Sequence, residues 1–369
     1  MISVLVVDDS VVVRKLIVDA LGGAPGIEVV GTAANGLLAQ AKIDQLKPDV
    51  VTMDIEMPQM NGIEAVRELR KRHPRLPVIM FSTLSAAGAS ATLEALAAGA
   101  TDYVTKPSNV GSIAQSLAAV RDQMVPKIHA LARRPLPAFK PPPPLKRPAP
   151  GPAPSRPVTG PPRPTRRSPQ GRVDLIAVGS STGGPDALTK VLIGLTTELP
   201  VPMVVTQHMP PVFTKMFAER LDRSTPLTVV EAGDGMALAN GTVYVAPGDK
   251  HLVLHRRGTA VAIQLSGAPP ENSCRPAVDV MFRSVAQVYG GSAYAVVLTG
   301  MGQDGRGGAK VLRDAGAEVI VQDEASSVVW GMPGAVAQAG LADEVLPLDR
   351  IAGALTARLK AGRSAVVAR

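Results

Sequence analysis

The sequence predicts an α/β protein built as two doubly wound parallel-sheet domains joined by a Pro-rich linker. Three observations carry this. Short apolar runs alternate with helical stretches through residues 2–131 and again after 173, the pattern of parallel sheets covered on both faces. Polar residues gather where apolar runs end, the edge at which open parallel sheets build their sites. Fifteen of the 34 prolines lie between Pro135 and Pro169, which removes helix and central strand and favours extended, solvated chain. The domains are therefore expected at 1–125 and 172–369, with the linker at 126–171 acting as a semi-rigid, disordered spacer.

In the first domain strands are expected at 2–7, 28–32, 49–53, 77–81 and 102–105, with helices at 11–21, 36–46, 62–72, 89–98 and 111–131. That makes five βα units. In the second domain strands are expected at 173–178, 204–206 and 294–299, with β-rich stretches at 227–230, 242–246 and 252–265. Helices are expected near 185–194, 212–223, 276–288, 305–315 and 349–361. No internal repeat or heptad run interrupts the pattern.

In the first domain the run ending at Val7 is followed by Asp8 and Asp9. The next ends in Asp54, another in Ser82, and a fourth in Lys106-Pro107. Three carboxylates close together repel unless a hard cation sits between them, and oxygen ligands with room for water suit Mg²⁺. Asp54 is the candidate to attack a phosphoryl group, with Lys106 neutralising the transferred oxygens. The plainer alternative makes Asp8 and Asp9 helix caps and Lys106 a surface charge. Four coincident strand endings weigh against it.

In the second domain the strand ending at Gly179 runs into Ser180-Ser181-Thr182-Gly183-Gly184-Pro185. Glycines permit a tight turn, Pro185 suits a first helical turn, and amides at a helix start can hold an oxyanion. Gly179 and Gly184 have the outer spacing of a phosphate-binding loop, but its Lys is missing and Pro185 stands in its place. Two further strands end in His208 and in the turn carrying Asp304. A hydroxyl nucleophile, an imidazole base and a carboxylate that fixes the imidazole tautomer are the parts of acyl-transfer chemistry. The order Ser, His, Asp differs from the α/β-hydrolase order, and no Gly-x-Ser-x-Gly elbow surrounds Ser181. Taken singly, His208 reads equally as a structural histidine and Asp304 as a turn former; it is their joint placement that favours catalysis.

The formal charge of +8 raises the question of nucleic acid. Eleven Lys and Arg and no acid lie between Lys127 and Arg172, so the remainder carries −3. A helix-turn-helix output would need a basic reading face outside the linker, and the balance there is acidic. One Cys excludes an intramolecular disulfide, and Cys274 reads as a bystander near a loop. No apolar run approaches the roughly 18 residues of a membrane span, and the N-terminus lacks a basic leader, so a cytoplasmic protein is expected.

At these residues the chain resembles the chemotaxis response-regulator protein-glutamate methylesterases. Val-Val-Asp-Asp-Ser at 6–10, Met-Asp-Ile-Glu-Met-Pro around Asp54 and Thr-Lys-Pro at Lys106 resemble a flavodoxin-like receiver. Gly-Ser-Ser-Thr-Gly-Gly, Gln-His-Met-Pro-Pro, Tyr244 to Asp249, Arg275 to Asp279, Leu-Thr-Gly-Met-Gly-Gln-Asp-Gly and Gly331 to Gly334 resemble the Rossmann-like Ser-His-Asp esterase domain. The resemblance implies Ser181 as nucleophile, His208 as base and Asp304 as its orienter. It also implies Mg²⁺ held by Asp8, Asp9 and Asp54, phosphorylation of Asp54, and a switch at Ser82, Tyr103 and Lys106. Amides near Thr182 or Met301 are the oxyanion candidates. Ser180 stands where Ala is expected and Gln303 where Asn is expected. The implied activity is phosphorylation-stimulated hydrolysis of glutamyl methyl esters, with deamidation of glutamines, on chemoreceptors in their arrays, a histidine kinase being the phosphodonor. No cofactor for the ester chemistry, no nucleic acid and no membrane insertion are implied. The alternative is a receiver fused to a serine hydrolase for a small ester, which needs an apolar pocket.

Overall fold

A computed structural model describes residues 1–107, 112–132, 171–195 and 199–367. The first domain runs β1 (Ile2–Val7), α1 (Val11–Leu21), β2 (Ile27–Ala33), α2 (Gly36–Leu46), β3 (Val50–Asp54), α3 (Gly62–Arg72), β4 (Val78–Ser82), α4 (Ala86–Ala97), β5 (Asp102–Thr105) and α5 (Ile113–Ala132). Helix starts are set locally: Ser10, Asn35 and Ser85 cap their helices, and Asn61 forms a reciprocal capping box with Glu64. The strands pair in the order β2-β1-β3-β4-β5, all parallel. Alternation follows the pleat: Val4 and Val6 pack with α1 and α5 residues such as Ile17 and Met124, while Leu5 and Val7 pack on the other face with Ile43 and Leu69.

The second domain runs β6 (Leu175–Ser180), α6 (Gly184–Gly194), β7 (Met203–Gln207), α7 (Phe213–Ser224), β8 (Thr228–Glu231), β9 (Thr242–Val245), β10 (His251–Arg257), β11 (Ala260–Ser266), α8 (Val278–Tyr289), β12 (Ala293–Val297), α9 (Arg306–Asp314), β13 (Glu318–Gln322), α10 (Met332–Gln338), β14 (Glu344–Leu346) and α11 (Leu348–Val367). Its main sheet has the order β14-β13-β12-β6-β7-β9-β8, again parallel. This is the two-domain parallel α/β architecture expected from sequence.

Three details sharpen this. The expected β-rich stretch 252–265 forms a separate antiparallel hairpin, β10 with β11, beside the main sheet. β13, α10 and β14 were absent from the sequence reading, because the mixed stretch after Ala317 shows no clean alternation. Finally, α5 continues to Ala132, past the boundary drawn at 125, with Pro126 inside it. Burial of Ile128 and Leu131 against the sheet outweighs the helix bond that the proline removes. The expected spacer conformation concerns residues 133–170, which lie outside the described residues.

The two domains touch. α4 packs on α7, Tyr103 of β5 stacks on Phe213 at the start of α7 with ring centroids 4.9 Å apart, and the apolar cluster continues from one domain into the other. Val212, which precedes Phe213, is held at φ 72, a strained value for a β-branched residue.

Close approach also fixes the distance between β6 and α8. A Cβ on Gly179 would lie 2.5 Å from Val278 Cγ1. Gly179→Ala is therefore expected to cost about 1–3 kcal/mol of stability through overpacking. Val278→Ala in the same chain should recover part of it when denaturation is followed by circular dichroism. Strictly additive losses would show that the two side chains do not meet.

Candidate active site and acidic pocket

β6, β7 and β12 are neighbours in one sheet, so the residues leaving their carboxyl ends share one edge. Ser181 follows β6. Its amide donates to Thr299 O at 3.0 Å, and a Cβ on Gly300 would stand 3.0 Å from Ser181 Cβ, so the 298–302 turn presses on the serine. Gly183 takes φ 75 to bring the chain into α6. Ser180 is different: it is fully buried and its hydroxyl donates to Gln207 Oε1 at 2.7 Å. Gln207 in turn donates to Ser181 O at 3.0 Å and His208 O at 3.2 Å, stapling the two turns. A side chain at Gly184 would collide with Gln207 Oε1 at 2.1 Å. Gln207 is neutral and not a nucleophile, so nothing local in the sequence marks it as this staple.

His208 follows β7 and stays in register, its amide donating to Ser180 O at 3.1 Å. Its Nε2 lies 2.8 Å from Asp304 Oδ2. Asp304 sits in the loop after β12, just before Gly305, where α9 begins. It is 2 % exposed, yet every oxygen is served: Val278 N–H donates to Oδ2 at 2.7 Å, and Asp279 N–H and Gly305 N–H donate to Oδ1 at 3.0 Å each. The first two amides open α8, so the carboxylate occupies a helix N-terminus. Burial acts to raise this carboxyl, but His208 and the amides hold it below the usual range. Asn272 Nδ2 adds donations to Asp304 Oδ1 at 3.0 Å and to Asp279 Oδ2 at 2.9 Å. Cys274, expected as a bystander, has its Sγ 3.4 Å from His208 Nδ1.

Of the oxyanion candidates, Thr182 is buried in the turn and its hydroxyl donates across the domain boundary to Asp102 Oδ2 at 2.8 Å. Met301 is half-buried in the 298–302 turn. That turn is braced from behind: Gly331 and Met332 amides donate to Gly300 O at 3.1 and 2.8 Å, Trp330 pairs with Gly300, and the Trp330 indole donates to Gln322 O at 3.0 Å. Gln303 is exposed.

At the edge of the first sheet Asp8, Asp9 and Asp54 present carboxylate oxygens within 4.8 Å of one another. Lys106 Nζ lies 2.7 Å from Asp54 Oδ1 and 3.5 Å from Asp8 Oδ2. Burial and then Asp54 push Asp8 up to about 6. Asp54 is raised as well, by burial above all, and Asp54 keeps Lys106 high against the opposing effect of burial. Asp8 Oδ2 is buried without a hydrogen-bond partner. An orphaned hard oxygen beside two more carboxylates fits a divalent cation such as Mg²⁺. Asp9, Asp54, Ser82 and Lys106 line one pocket with Thr83 and Gly88. The Ser82 hydroxyl is turned to Gly88 O of α4, at 3.2 Å, and accepts from Thr92. Tyr103 is not in this pocket but on Phe213, and its neighbour Asp102 is held by Lys127 at 2.6 Å.

Comparison with known proteins agrees with this division. Residues 176–355 match the CheB methylesterase family and residues 4–118 the response regulator receiver domain. The chain is 51% identical to a protein-glutamate methylesterase/protein-glutamine glutaminase of Nocardioides sp., over 99% of this chain and 98% of that one. It is 46% identical to the protein of the same name from Trichodesmium erythraeum, over 96% and 98%. It is also similar to the Thermotoga maritima CheB methylesterase catalytic domain, at 44% identity, covering 50% of this chain and 97% of that one with a TM-score of 0.49.

The histidine gives a direct test. Burial lowers its pKa, but Asp304 first and Cys274 second more than offset that and raise it from 6.5 to about 9. His208 is thus imidazolium at neutral pH and releases its proton as pH rises through about 9. A nuclear magnetic resonance titration of the five histidines, with His208 assigned by its loss in His208→Gln, is expected to find it there. Asp304→Asn should lower it markedly, because the partner that opposes burial most is then gone and only Cys274 is left to oppose it. An unmoved value would sink the pairing.

Proposed function

The chain belongs to the protein-glutamate methylesterase/protein-glutamine glutaminase family with a receiver domain, and from that premise we propose a phosphorylation-stimulated esterase acting on glutamyl methyl esters of chemoreceptors. The observation that carries the reading is the His208–Asp304 pair at the sheet edge where Ser181 emerges, with Ser180 committed to Gln207 instead. The deprotonated form of His208, a minority at neutral pH, takes the Ser181 proton as the oxygen attacks the ester carbonyl. The tetrahedral oxyanion is held by amides near Thr182 or Met301. His208 returns the proton to the departing methoxide, giving methanol and an acyl-serine. Water, deprotonated by the same imidazole, then releases the glutamate carboxylate and restores Ser181. A glutamine amide differs only in its leaving group, ammonia, so deamidation uses the same residues.

Receptors in general are the substrate and a histidine kinase the phosphodonor, at the receptor arrays. No helix among the described residues is long and apolar enough to cross a membrane. The acidic balance outside the linker disfavours a nucleic-acid output, and the family match disfavours a small-ester hydrolase.

Regulation follows from the domain contact. Asp54 is the acceptor, Asp8, Asp9 and Asp54 would hold Mg²⁺, and the cation when bound supplies charge neutralisation for phosphoryl transfer. A phosphoryl group adds about two negative charges beside Lys106. Ser82 is drawn off Gly88, which loosens α4, the helix lying on α7. Asp102 then releases Thr182 in the catalytic turn as the Tyr103–Phe213 stack reorganises. Phosphorylation thereby shifts a closed-to-open equilibrium rather than altering the chemistry.

Methanol release from methyl-labelled receptor membranes tests both parts. Ser181→Ala should lose about three orders of magnitude or more, while Ser180→Ala keeps most of the rate; the reverse result would move the nucleophile by one residue. For the regulatory part, Asp54→Asn should give the same slow rate with and without a small phosphodonor. Asp102→Ala should raise the unphosphorylated rate, and no rise would mean that the receiver does not restrain the turn through this contact.

A further inference from the structure

One short turn, 271–274, reaches both members of the His208–Asp304 pair. Reciprocal backbone hydrogen bonds close it, Glu271 N–H to Cys274 O at 3.1 Å and Cys274 N–H to Glu271 O at 2.9 Å. Its central residues Asn272 and Ser273 both have positive φ, 52 and 61, as a tight hairpin turn with two left-handed positions demands. Asn tolerates that conformation better than most residues. The turn is docked on α8 by a two-pronged ion pair, Glu271 with Arg283, both contacts at 2.6 Å. It is thus tied to the helix whose N-terminus holds Asp304.

From this platform Asn272 spends both protons of one amide on two carboxylates, Asp304 Oδ1 and Asp279 Oδ2. Asp279 is itself fixed by the Gly308 amide at 2.6 Å. Asn272 therefore locks the Asp304 plane between α8 and α9. Cys274 reaches the other end of the pair. Since Asp304 takes His208 Nε2, Nδ1 is the nitrogen left for the Ser181 proton, and Cys274 Sγ stands 3.4 Å from it. A thiol is a weak hydrogen-bonding group, able to hold a ring in place and to yield to a better partner.

We propose that the 271–274 turn is the positioning element of the catalytic pair, with Asn272 orienting Asp304 and Cys274 holding the reactive face of His208 until substrate arrives. The proposal deepens the reading of His208 as base and rests on it. The titratable groups facing the imidazole are Asp304 from the β12–α9 loop and Cys274 from the turn. Behind them stand Asp279 of α8 and the paired Glu271 and Arg283.

The test uses the full chain in two measurements. His208 is titrated by nuclear magnetic resonance in a Ser181→Ala background, where no turnover intervenes, and methanol release is followed against pH with Ser181 intact. Cys274→Ala is expected to lower the His208 titration by about half to one pH unit, the size of one hydrogen bond, and to move the acid limb of the rate profile with it. Cys274→Ser should restore both, since a hydroxyl can take the place of the thiol. Asn272→Ala is expected to lower kcat about tenfold with KM unchanged. A titration that falls in Cys274→Ala and returns in Cys274→Ser supports the turn whichever residue proves to be the nucleophile. An unchanged titration in Cys274→Ala overturns the role of Cys274, and an unchanged kcat in Asn272→Ala overturns that of Asn272. Failure of the underlying reading looks different: Ser181→Ala and His208→Gln would keep their methanol release.

Discussion

The anchoring of Asp304 at the amino end of α8 is the interaction on which the candidate catalytic edge depends. A carboxylate removed from water is costly unless its oxygens are served and its charge is met. Here two amides of a helix start, one amide of its own loop, an asparagine and an imidazole do both. The consequence is geometric as much as energetic. α8, the loop after β12 and the end of β7 are fixed to one atom group, so the placement of the His208 ring inherits the rigidity of the sheet.

The acidic cluster of the first domain is built on the opposite logic. Asp8 and Asp54 are also buried, but only Lys106 and single amides answer them, and both carboxyls are raised in consequence. A site with unmet negative charge favours a cation and then rearranges around a new anion. One domain is electrostatically saturated and suited to repeated chemistry; the other is left short of positive charge and suited to change. The contact between them lies between the two kinds of site, since Asp102 stands on β5, the strand that leads to Lys106, and accepts from a hydroxyl one residue from Ser181.

Much of this was legible in the sequence. Strand-end placement brought Ser181, His208 and Asp304 to one edge, and Asp8, Asp9, Asp54 and Lys106 to another, because apolar runs and their terminators are local signals. The fold class was legible for the same reason. What escaped depends on contacts between distant segments. Nothing local marks Gln207 as the staple of two turns, and nothing in a single cysteine foretells that Cys274 meets His208 across 66 positions of chain. β13, α10 and β14 escaped because the apolar run Val319–Val321 is only three residues long and the stretch after it is mixed. The helix end expected at 131 matches α5, whereas the domain boundary drawn at 125 falls inside it, because burial of Ile128 and Leu131 keeps the segment after Pro126 with the first domain.

The bracing of the 298–302 turn by Trp330 has an optical corollary. The chain holds one tryptophan, and its ring packs beside Gly334 while its backbone pairs with Gly300. Emission excited at the red edge of protein absorption therefore originates at a single address, directly behind the turn that carries Met301. The receiver is dark at that wavelength. Light from this protein reports the surroundings of the 298–302 turn alone, so a receiver event becomes visible only insofar as it crosses the domain boundary and disturbs that turn.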